Sequence, residues 1–398
     1  MKSYSIESVR LAAKEMAQKA IRMRRDLHRI PELAFTEKET SAYICAKLEE
    51  LGIPYQSGIA GTGFVGFIRA EHAEKTLLLR ADMDALPMQE SKQLSFCSEH
   101  DGVMHACGHD GHIAVLLGTA EILQRLRKEL SCNVKLVFQP GEEDTGGAKP
   151  MIEEGVLENP HVDAAAALHI MNDTECGKIR VPDGAVMACP DEFDLKIIGK
   201  GGHGAYPSEC IDPIVIAAQI ITAFSALSAR FTDARTPNVI SVCSVCGGSF
   251  YNIIPESVTL RGTVRLYDPE LRKRLPKMME RVIQGYTNAY GATYQWDYRF
   301  MFPPLINDSA LAEHFAQCAE EILGKEMVLR SVKPSMAGDD FSYFAERIPS
   351  VYFHLGGGNP ERGLCEPLHS PAFNFDEDCL ETGMSVLSYF ALNYGRKE

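Results

Sequence analysis

The sequence is poor in the features that mark several large classes of protein. Its net charge is −14 at pH 7 and its basic residues are scattered, which argues against a nucleic-acid or anionic-membrane partner. No apolar run approaches the length needed to span a membrane, and the first 20 residues lack the apolar centre of a signal peptide. We therefore expect a cytoplasmic protein with no nucleic-acid partner and no membrane partner.

Cysteine patterns typical of disulfide frameworks or zinc ribbons are also lacking. The 12 cysteines, in a long chain without a secretion signal, are expected to be free thiols. Cys243 and Cys246 have C-x-x-C spacing, but no second pair matches them and they lie in a strand-like run, so we interpret them as packing residues. The densest basic group, residues 22–29, is interpreted as a solvated helix face.

A cluster of potential metal ligands occupies residues 104–112, which hold three histidines, a cysteine and an aspartate. Apolar residues at helical spacing follow from Ile113, so the cluster lies where a loop enters a helix, with Asp110 as the predicted N-cap. Cys107 and His109, two residues apart, could supply half of a transition-metal site. Such a pair is equally typical of a buried structural thiol. Residues elsewhere in the chain must therefore show whether this pair binds a metal.

Acidic and imidazole side chains recur at the ends of predicted strands. Carboxylates just past a buried strand are costly unless they meet a cation or a ligand. Open α/β sheets also place their chemistry at the carboxyl ends of strands. The recurrence along one inferred sheet favours a shared site over unrelated acidic turns. The positions are Asp82 and Asp84 after 76–80, Glu142 and Glu143 after 133–139, and His169 after 164–168.

The pattern changes from about residue 189. Strand-like and helix-like segments follow in the order β-α-β-β-α-β, which is the split ferredoxin-like unit, and alternation typical of the first part resumes after about residue 300. At 398 residues the chain is also too long for one typical core. We therefore predict that residues 189–300 form a domain inserted into a first domain made of 1–188 and 301–398.

Taken in order, the motifs resemble those of the dinuclear-metal amidohydrolases that include aminoacylases, hippurate hydrolases and hydrolases of indole-acetyl amino-acid conjugates. More distantly, the chain resembles glutamate-releasing carboxypeptidases. The resemblance covers nearly the whole chain and implies an α/β fold: a mixed-sheet metallo-exopeptidase-like catalytic domain with an inserted ferredoxin-like lid and dimerisation domain. The matching segments are Arg25–His28, Pro31–Glu32, Arg80–Pro87, His105–Asp110, Gln139–Glu143, Leu168–His169, Gly201–Pro207, Asn252–Pro255, Gly262–Arg265 and Leu368–Pro371.

The resemblance implies a centre of two divalent ions. In the wider superfamily a metal-binding histidine precedes the aspartate that corresponds to Asp84; this chain has Asp82 instead, so His109 is expected to substitute for that histidine. Asp84 would orient a ligand, whereas Asp82 would either orient a ligand or bind metal directly. The thiolate favours zinc and leaves manganese or nickel open. The implied metal ligands are Cys107, His109, Glu143, His169 and His369.

The implied activity is metal-dependent hydrolysis of the amide bond of N-acyl amino acids. Two ions can activate a water and polarise the amide carbonyl, with Glu142 as the general base that passes the proton to the leaving amine. His203, in a glycine-rich turn of the insert, would stabilise the oxyanion across a homodimer interface formed by the lid domains. Asn252, Arg265 and Gly356 are the candidate substrate-binding residues: the first two would bind the α-carboxylate, and the glycine would let backbone approach the substrate.

Three other functions compete with this hypothesis. A dipeptidase or carboxypeptidase of the same superfamily would need a site for a free amino terminus, and the sequence identifies none. A thiol hydrolase would use Cys107 as its nucleophile, and its activity would survive removal of metal by a chelator. A binding protein that has lost catalysis would have no need of the retained Glu142.

Overall fold

The structure is a computed structural model that describes residues 5–396. Its helices are α1 (Ile6–Arg29), α2 (Lys38–Glu50), α3 (His109–Arg125), α4 (Ala148–Glu153), α5 (Pro213–Arg230), α6 (Pro269–Tyr290), α7 (Ser309–Leu323), α8 (Ser342–Arg347) and α9 (Cys379–Asn393). Its strands are β1 (Tyr55–Ile59), β2 (Gly63–Ile68), β3 (Thr76–Asp82), β4 (Asn133–Gln139), β5 (Ala164–Glu175), β6 (Ile179–Arg180), β7 (Ala185–Met187), β8 (Cys189–Ile198), β9 (Gly202–His203), β10 (Asn238–Cys246), β11 (Ile253–Ile254), β12 (Ser257–Leu266), β13 (Thr293–Arg299), β14 (Leu305–Ile306), β15 (Val328–Leu329) and β16 (Ser350–Gly358).

The chain divides into two compact units. Unit 1 contains the residues up to Val186, Ile306–Lys333 and the residues from Tyr343 onward, and unit 2 contains Met187–Leu305 with Pro334–Ser342. Unit 2 begins at Met187 and ends at Leu305, where the predicted insert has 189 and 300, and it also includes the segment 334–342, which lies outside the predicted insert.

Unit 1 is built on a mixed eight-stranded sheet in the order β1-β2-β4-β3-β5-β16-β6-β15. The neighbours β4, β3, β5 and β16 run parallel, whereas β1 and β2 join antiparallel at one side. This mixed α/β architecture is the predicted class. Since parallel neighbours end at the same edge, the sheet order alone brings the acidic segments after β3 and β4 together.

The two faces of this sheet have different chemistry because successive side chains of a strand alternate. On β3, Leu77 and Leu79 belong to the apolar core that contains residues of α1, α3, α7 and α9. Arg80 lies on the opposite face, where Asp82 follows it. Arg80 donates to Gln139 of the neighbouring β4, whereas Asp82, at the strand end, also reaches His112 in the first turn of α3.

Helix α3 begins two residues earlier than the N-cap prediction required. Gly108 is the N-cap, with a left-handed φ of 88°, and Asp110 lies in the first turn. The prediction that Asp110 caps the helix was wrong, because its Oδ2 instead accepts bonds from Arg24 (2.7 Å) and from Nδ1 of His28 (2.8 Å). A carboxylate in the first turn still interacts favourably with the helix dipole.

The interpretation of residues 22–29 as a solvated helix face was wrong for Arg24, which is fully buried. Its guanidinium donates to Asp110 and to Oδ1 of Asn374 (2.9 Å), and it lies between the rings of Phe96 and Phe375, 4.8 and 4.5 Å from their centroids. A buried cation needs such partners. The arginine therefore connects α1 to the segments that carry His109 and His369.

Unit 2 contains a four-stranded antiparallel sheet in the order β10-β12-β8-β13, with α5 and α6 contributing to one core. The chain order β8-α5-β10-β12-α6-β13 is the predicted β-α-β-β-α-β order. The short strands β9 and β11 pair separately, with His203 opposite Ile253.

Two segments of unit 2 bear on the sequence expectations. Within the described residues, α5 is long and apolar enough to cross a membrane by length and composition alone, a test that core helices of soluble proteins also pass. Its residues Ile216, Ile220 and Phe224 are buried against the unit 2 sheet. Cys243 and Cys246 are exposed rather than packed, and Cys243 lies at a register shift in β10.

Candidate metal centre and active site

The carboxyl ends of β3 and β4 and the middle of β5 position the candidate site; β5 continues to Glu175 and does not end before His169 as predicted. Asp82 at the end of β3 is in register with Gln139 at the end of β4. On the other side of β3, Arg80 is in register with Ala167, so His169 of β5 is level with Asp82 two residues further on. The row of side chains thus crosses neighbouring strands at one edge, as the recurrence of acidic and imidazole residues predicted.

Cys107, His109 and His169 form one group of potential metal ligands. Their ligand atoms all lie within 4.8 Å of one another, and all three residues are buried. The Cys107 Sγ lies 3.3 Å from Nε2 of His169. Cys107 lies in the loop before α3, His109 is the first residue of α3, and His169 lies in β5, so the backbone of different elements fixes the group.

Hydrogen bonds set the tautomers of both histidines. Nδ1 of His109 is 2.9 Å from the carbonyl oxygen of Asp84, and Nδ1 of His169 is 2.8 Å from that of Ile170. A carbonyl can only accept, so each Nδ1 carries the proton and each Nε2 presents a lone pair. Within the described residues, the buried Nε2 of His109 has no hydrogen-bond partner. A metal ion is the partner that this arrangement fits.

A second group shares Cys107 with the first and adds Glu143 and His369. Its ligand atoms also lie within 4.8 Å of one another, and Nε2 of His369 is 3.1 Å from Oε1 of Glu143. His369 has a left-handed φ of 61°, which is uncommon for a residue other than glycine and typical of functional loops. One sulfur common to two groups fits a thiolate that bridges two ions.

Asp82 and His112 lie beside the first group. Oδ1 of Asp82 is 2.6 Å from Nδ1 of His112, and Oδ2 is 2.5 Å from the Arg80 guanidinium and 3.7 Å from Nε2 of His109. Nε2 of His112 accepts the amide of Ile170 at 2.9 Å, so both nitrogens of His112 are engaged. His112 therefore orients its neighbours rather than offering a free lone pair.

Negative charge accumulates around His109. Although burial opposes its protonation, Asp82 and Asp84 raise the pKa of His109 to about 10. Burial likewise opposes ionisation of Asp82, but Arg80 and the two imidazoles hold the pKa of its carboxyl well below its usual range. The site therefore attracts a positive charge, and a divalent ion at Nε2 of His109 would take the place of that proton.

The Cys107 thiol needs a cation before it can ionise. Burial first, and then the charges of Glu143 and Glu142, raise the pKa of Cys107 well above its usual value. A nucleophilic cysteine usually has the opposite environment, with a lowered pKa and positive neighbours. The surroundings of Cys107 thus favour a metal ligand over the nucleophile of a thiol hydrolase.

Glu142 and Glu143 have different surroundings although they are adjacent. The Glu143 amide donates to Oδ2 of Asp84 at 2.9 Å, and its carboxylate faces His369. The Glu142 carboxylate is buried and forms a group with His109 and Glu143, with ligand atoms within 4.8 Å. One carboxylate is thus directed to the second metal-ligand group while its neighbour lies beside both groups.

In unit 2, the structure brings His203 and Asn252 together. Asn252 precedes β11, and its carbonyl oxygen accepts the amide of Gly204, the residue after His203. Nδ1 of the exposed His203 accepts the amide of Ala205 at 3.1 Å. The neutral ring therefore carries its proton on Nε2, which is the tautomer that can donate a hydrogen bond outward.

Two predicted substrate-binding residues lie elsewhere. The Arg265 guanidinium donates to Thr263 Oγ1 at 3.0 Å, near the other end of β12 from Asn252. Gly356 lies buried in β16, where an added Cβ would come within 2.1 Å of the carbonyl oxygen of Glu175. Close packing of β16 on β5 thus accounts for the glycine, and its contact with substrate stays a prediction.

Arg24 and Glu37 are two buried residues whose positions sequence reasoning missed. The signal for Arg24 was present, since it follows Ala13, Met16 and Ala20 at helical spacing on the buried face of α1. Glu37 had no such signal, because its partner Gly141 lies 104 residues away.

Comparison with protein families shows which family the chain is related to. The family model described as peptidase family M20/M25/M40 matches residues 78–393, which is most of the chain and includes all the ligand candidates. The chain belongs to this M20 peptidase family. Peptidases of one family share a hydrolytic activity on amide bonds, so the chain is a hydrolase of that kind and the resemblance seen in the motifs is confirmed.

Individual relatives match between 76% and 98% of the chain. A protein named thermostable carboxypeptidase 2 from Saccharolobus solfataricus is 38% identical over 398 residues, covering 98% of this chain and 99% of its own. An N-acyl-L-amino acid amidohydrolase from Geobacillus stearothermophilus is 39% identical over 302 residues, covering 76% and 81%. The solved structure of Bacillus subtilis YXEP, described as a dinuclear metal binding peptidase of the M20 family, has a TM-score of 0.84 at 34% identity, covering 95% of this chain and 98% of its own.

The M20 relationship and the two groups of ligands agree on a metal-dependent enzyme. The expectation of a dinuclear centre is confirmed by the shared Cys107 and by the solved M20 relative.

Proposed function

We propose that this M20 enzyme hydrolyses the amide bond of N-acyl amino acids with a metal-activated water and with Glu142 as general base. The observation that carries the proposal is the division of labour between two adjacent carboxylates, one facing His369 and the other lying beside both groups of ligands. Similarity to an N-acyl-L-amino acid amidohydrolase over 76% of the chain supports the substrate class.

The protein residues then have separate tasks. Cys107, His109, His169, Glu143 and His369 would hold two ions, which when bound supply a Lewis acid for the amide carbonyl and favour ionisation of a water. Asp84 fixes both the proton on Nδ1 of His109 and the amide of Glu143 through its backbone and side-chain oxygens. Glu142, which is not needed as a ligand, would take the water proton and deliver it to the leaving amine.

His203 would stabilise the oxyanion that develops on the carbonyl. Its Nε2–H is free to donate because Nδ1 is occupied by the Ala205 amide. A donor aimed at an oxyanion typically contributes about 3 kcal/mol to the transition state. Asn252, adjacent in the β9–β11 ribbon, would bind the carboxylate of the amino-acid part.

The layout of unit 2 supports a homodimer. Arg265 lies about 27 Å along β12 from the end next to the His203 ribbon, at 3.4 Å per residue. This distance exceeds the length of an N-acyl amino acid, so one copy of unit 2 cannot place both residues on one substrate. Two paired copies could place His203 of one subunit at the site of the other.

An exposed apolar surface near His203 is the proposed contact between copies. We call it the α5–β10 surface; it includes the stacked rings of Phe250 and Tyr251, and Tyr251 is 92% exposed. Strand β10 is also an edge of its sheet, with backbone groups available for a second strand. Exposed apolar groups of this extent usually mark interfaces. The other members are Ile214, Val215, Val245 and Ile253.

The test is an assay of the purified enzyme after dialysis against a chelator and reloading with zinc, manganese or nickel. Substrates would be N-acetyl, N-benzoyl and indole-acetyl amino acids, alongside free dipeptides and N-blocked peptides. We expect hydrolysis of N-acyl amino acids only after reloading. Activity that survives chelation would overturn the metal mechanism and favour a thiol hydrolase, whereas no hydrolysis of any substrate after reloading would favour a binding protein.

A carboxypeptidase is the second candidate. It is favoured by the similarity to thermostable carboxypeptidase 2 over 98% of this chain. Both reactions release a free amino acid and need the same metal site. The two activities therefore differ only in the group on the acyl side of the cleaved amide bond, a peptide or a simple acyl group. A kcat/KM higher for N-blocked peptides than for every N-acyl amino acid would support the carboxypeptidase, and the reverse order would support the amidohydrolase.

A further inference from the structure

Glu37 is a fully buried carboxylate that belongs to neither group of metal ligands. It lies immediately before α2, far in sequence from the candidate site. Its Oε1 accepts the amide of Gly141 at 3.0 Å, and its Oε2 accepts the hydroxyl of Thr62 at 2.5 Å. Both oxygens are thus engaged, which is what allows a carboxylate to remain in the interior.

The turn that Glu37 holds is Pro140–Glu143, which carries the proposed general base. Gly141 has a left-handed φ of 66°, and a Cβ there would lie 2.5 Å from Cζ of Phe35. Phe35 itself has a φ of 61°, so two neighbouring segments both adopt the left-handed conformation where they meet. Such a backbone persists only where surrounding contacts fix it.

A second carboxylate fixes the other side of the same turn. Oδ2 of Asp84 accepts the amide of Glu143 at 2.9 Å, and the amide of Gly146 donates to the carbonyl of Gly141 at 3.0 Å. Glu142 therefore lies between two backbone amides, each bound by a carboxylate from a different part of the chain. Asp84 holds the amide of Glu143, the residue after Glu142. Glu37 holds the amide of Gly141, the residue before it.

We propose that Glu37 is a positioning residue for Glu142: by binding the Gly141 amide it sets the direction in which the Glu142 carboxylate points. The inference rests on the proposed role of Glu142 as general base. Glu37 neither binds metal nor reaches substrate in this proposal. Its effect should therefore appear in kcat, because a misplaced base slows proton transfer while ligands and substrate contacts remain.

The test compares three substitutions of Glu37 in the metal-loaded enzyme. Glu37→Gln keeps an oxygen that can accept the Gly141 amide, whereas Glu37→Met fills the space without an acceptor and Glu37→Asp is one methylene too short. We expect Glu37→Gln to retain kcat within about threefold. Glu37→Met and Glu37→Asp should lower kcat by about tenfold to a hundredfold with KM and metal content unchanged. If the Glu37→Met variant does not fold, Glu37→Asp provides the same comparison.

Thr62→Val is the matched control, because it removes the other hydrogen bond of the same buried carboxylate without touching the turn. It should lower thermal stability about as much as Glu37→Met but leave kcat near that of the wild type. Equal losses of kcat in the two variants would overturn the proposal, since the effect would then follow stability. Unchanged kcat in both Met and Asp would overturn it as well.

Glu142→Gln separates failure of this inference from failure of the proposed function. If Glu142→Gln is inactive while the Met and Asp variants of Glu37 are fully active, only the positioning role fails. If Glu142→Gln is as active as the wild type, the general base is misassigned and the positioning proposal fails with it. Support requires an inactive Glu142→Gln, a slowed Glu37→Met or Glu37→Asp, and rescue by Glu37→Gln.

Discussion

The backbone amide of His369 donates a 2.9 Å hydrogen bond to the carbonyl oxygen of Ala106, the residue before Cys107. The bond joins the two loops that supply Cys107 and His369, although they are more than 250 residues apart in the chain. Half of the His369 side chain is exposed, so packing does little to hold the ring. The left-handed backbone of His369 together with this bond is what directs the ring to Glu143.

Replacing Glu142 by glutamine should lower kcat by a factor of about 10² to 10⁴, the usual contribution of a general base. Glutamine has nearly the same shape but cannot accept a proton from water. We expect metal content and thermal stability to remain within error of the wild type, measured by elemental analysis and calorimetry. Asp144→Asn, at a nearby exposed carboxylate, is the control and should leave kcat unchanged.

Replacing Cys107 by serine should weaken both metal sites together. Its sulfur belongs to both groups of ligands, so we expect affinity for zinc to fall at least about tenfold at each site, as measured by competition with a chelating dye. Cys132→Ser is the matched control, because this buried thiol donates to Ala391 outside the site. Loss of one ion with full retention of the other would show that the sulfur does not bridge.

Acid should destabilise the metal-free protein partly through His354. Within the described residues neither ring nitrogen of this buried histidine has a hydrogen-bond partner, and burial, together with Arg180, lowers its pKa to about 4. The unfolded chain binds a proton near pH 6.5, and the folded chain binds it only near pH 4, so stability falls as the pH is lowered through this window. His354 should account for about 2 kcal/mol of loss between pH 7 and pH 5.

His354→Leu, which cannot take up a proton, should remove this share of the pH dependence. The measurement is urea unfolding of the chelator-treated protein at both pH values. His161→Leu, at an exposed histidine, should leave the pH dependence as it is. An equal slope in the wild type and the His354 variant would contradict the prediction.

Removal of the buried cation of Arg24 should be costly. Arg24→Met leaves Asp110 buried without its 2.7 Å partner, so we expect about 3–5 kcal/mol of lost stability in urea unfolding. Arg125→Met removes a guanidinium that is 50% exposed and pairs with Glu121, and should cost no more than about 1 kcal/mol. Similar losses for the two variants would show that burial does not decide the contribution of Arg24.

Two inactive variants should restore activity when they are paired. A heterodimer of His203→Ala and Glu142→Gln, isolated with two different tags, would contain one site with both an intact base and an intact His203 if the histidine acts across the interface. We then expect about half of the wild-type activity. A histidine that acts within its own subunit would leave this heterodimer inactive.

The dimer contact can be tested on the same preparation. Tyr251→Asp places a charge in the α5–β10 surface and should shift the protein to monomers in sedimentation velocity. Phe231→Asp, at a 70% exposed aromatic residue at the far end of α5, is the control and should leave the oligomeric state unchanged. A monomeric wild-type protein would overturn the proposed pairing.

The sequence could predict the fold class and the set of ligand candidates because both depend on local patterns. Cys107 and His109 are two residues apart at the start of α3, and the acidic pairs follow apolar strands, so spacing alone marks them. Which strands are neighbours cannot be read locally: β3 lies between β4 and β5, and only this order places Asp82 level with His169.

Long-range polar contacts were the part that the sequence could not give. Glu37 looks like any acidic residue before a helix until the turn at Gly141 folds against it. Cys243 and Cys246 lie in an apolar strand, yet that strand is the edge of its sheet, so the pattern that usually indicates burial leaves them exposed. In each case tertiary neighbours, rather than local preference, decide the environment.

The single sulfur shared by the two groups of ligands has a consequence for how the enzyme acquires its ions. The buried Cys107 gives up its proton only against the opposition of the surrounding carboxylates. If Cys107 binds both ions, that cost would fall on the ion that binds first, and the second ion would meet a thiolate that is already formed. Titration with metal should therefore pass from empty to doubly filled protein with little singly filled protein between, and scarcity of metal would leave a mixture of fully competent and fully idle molecules.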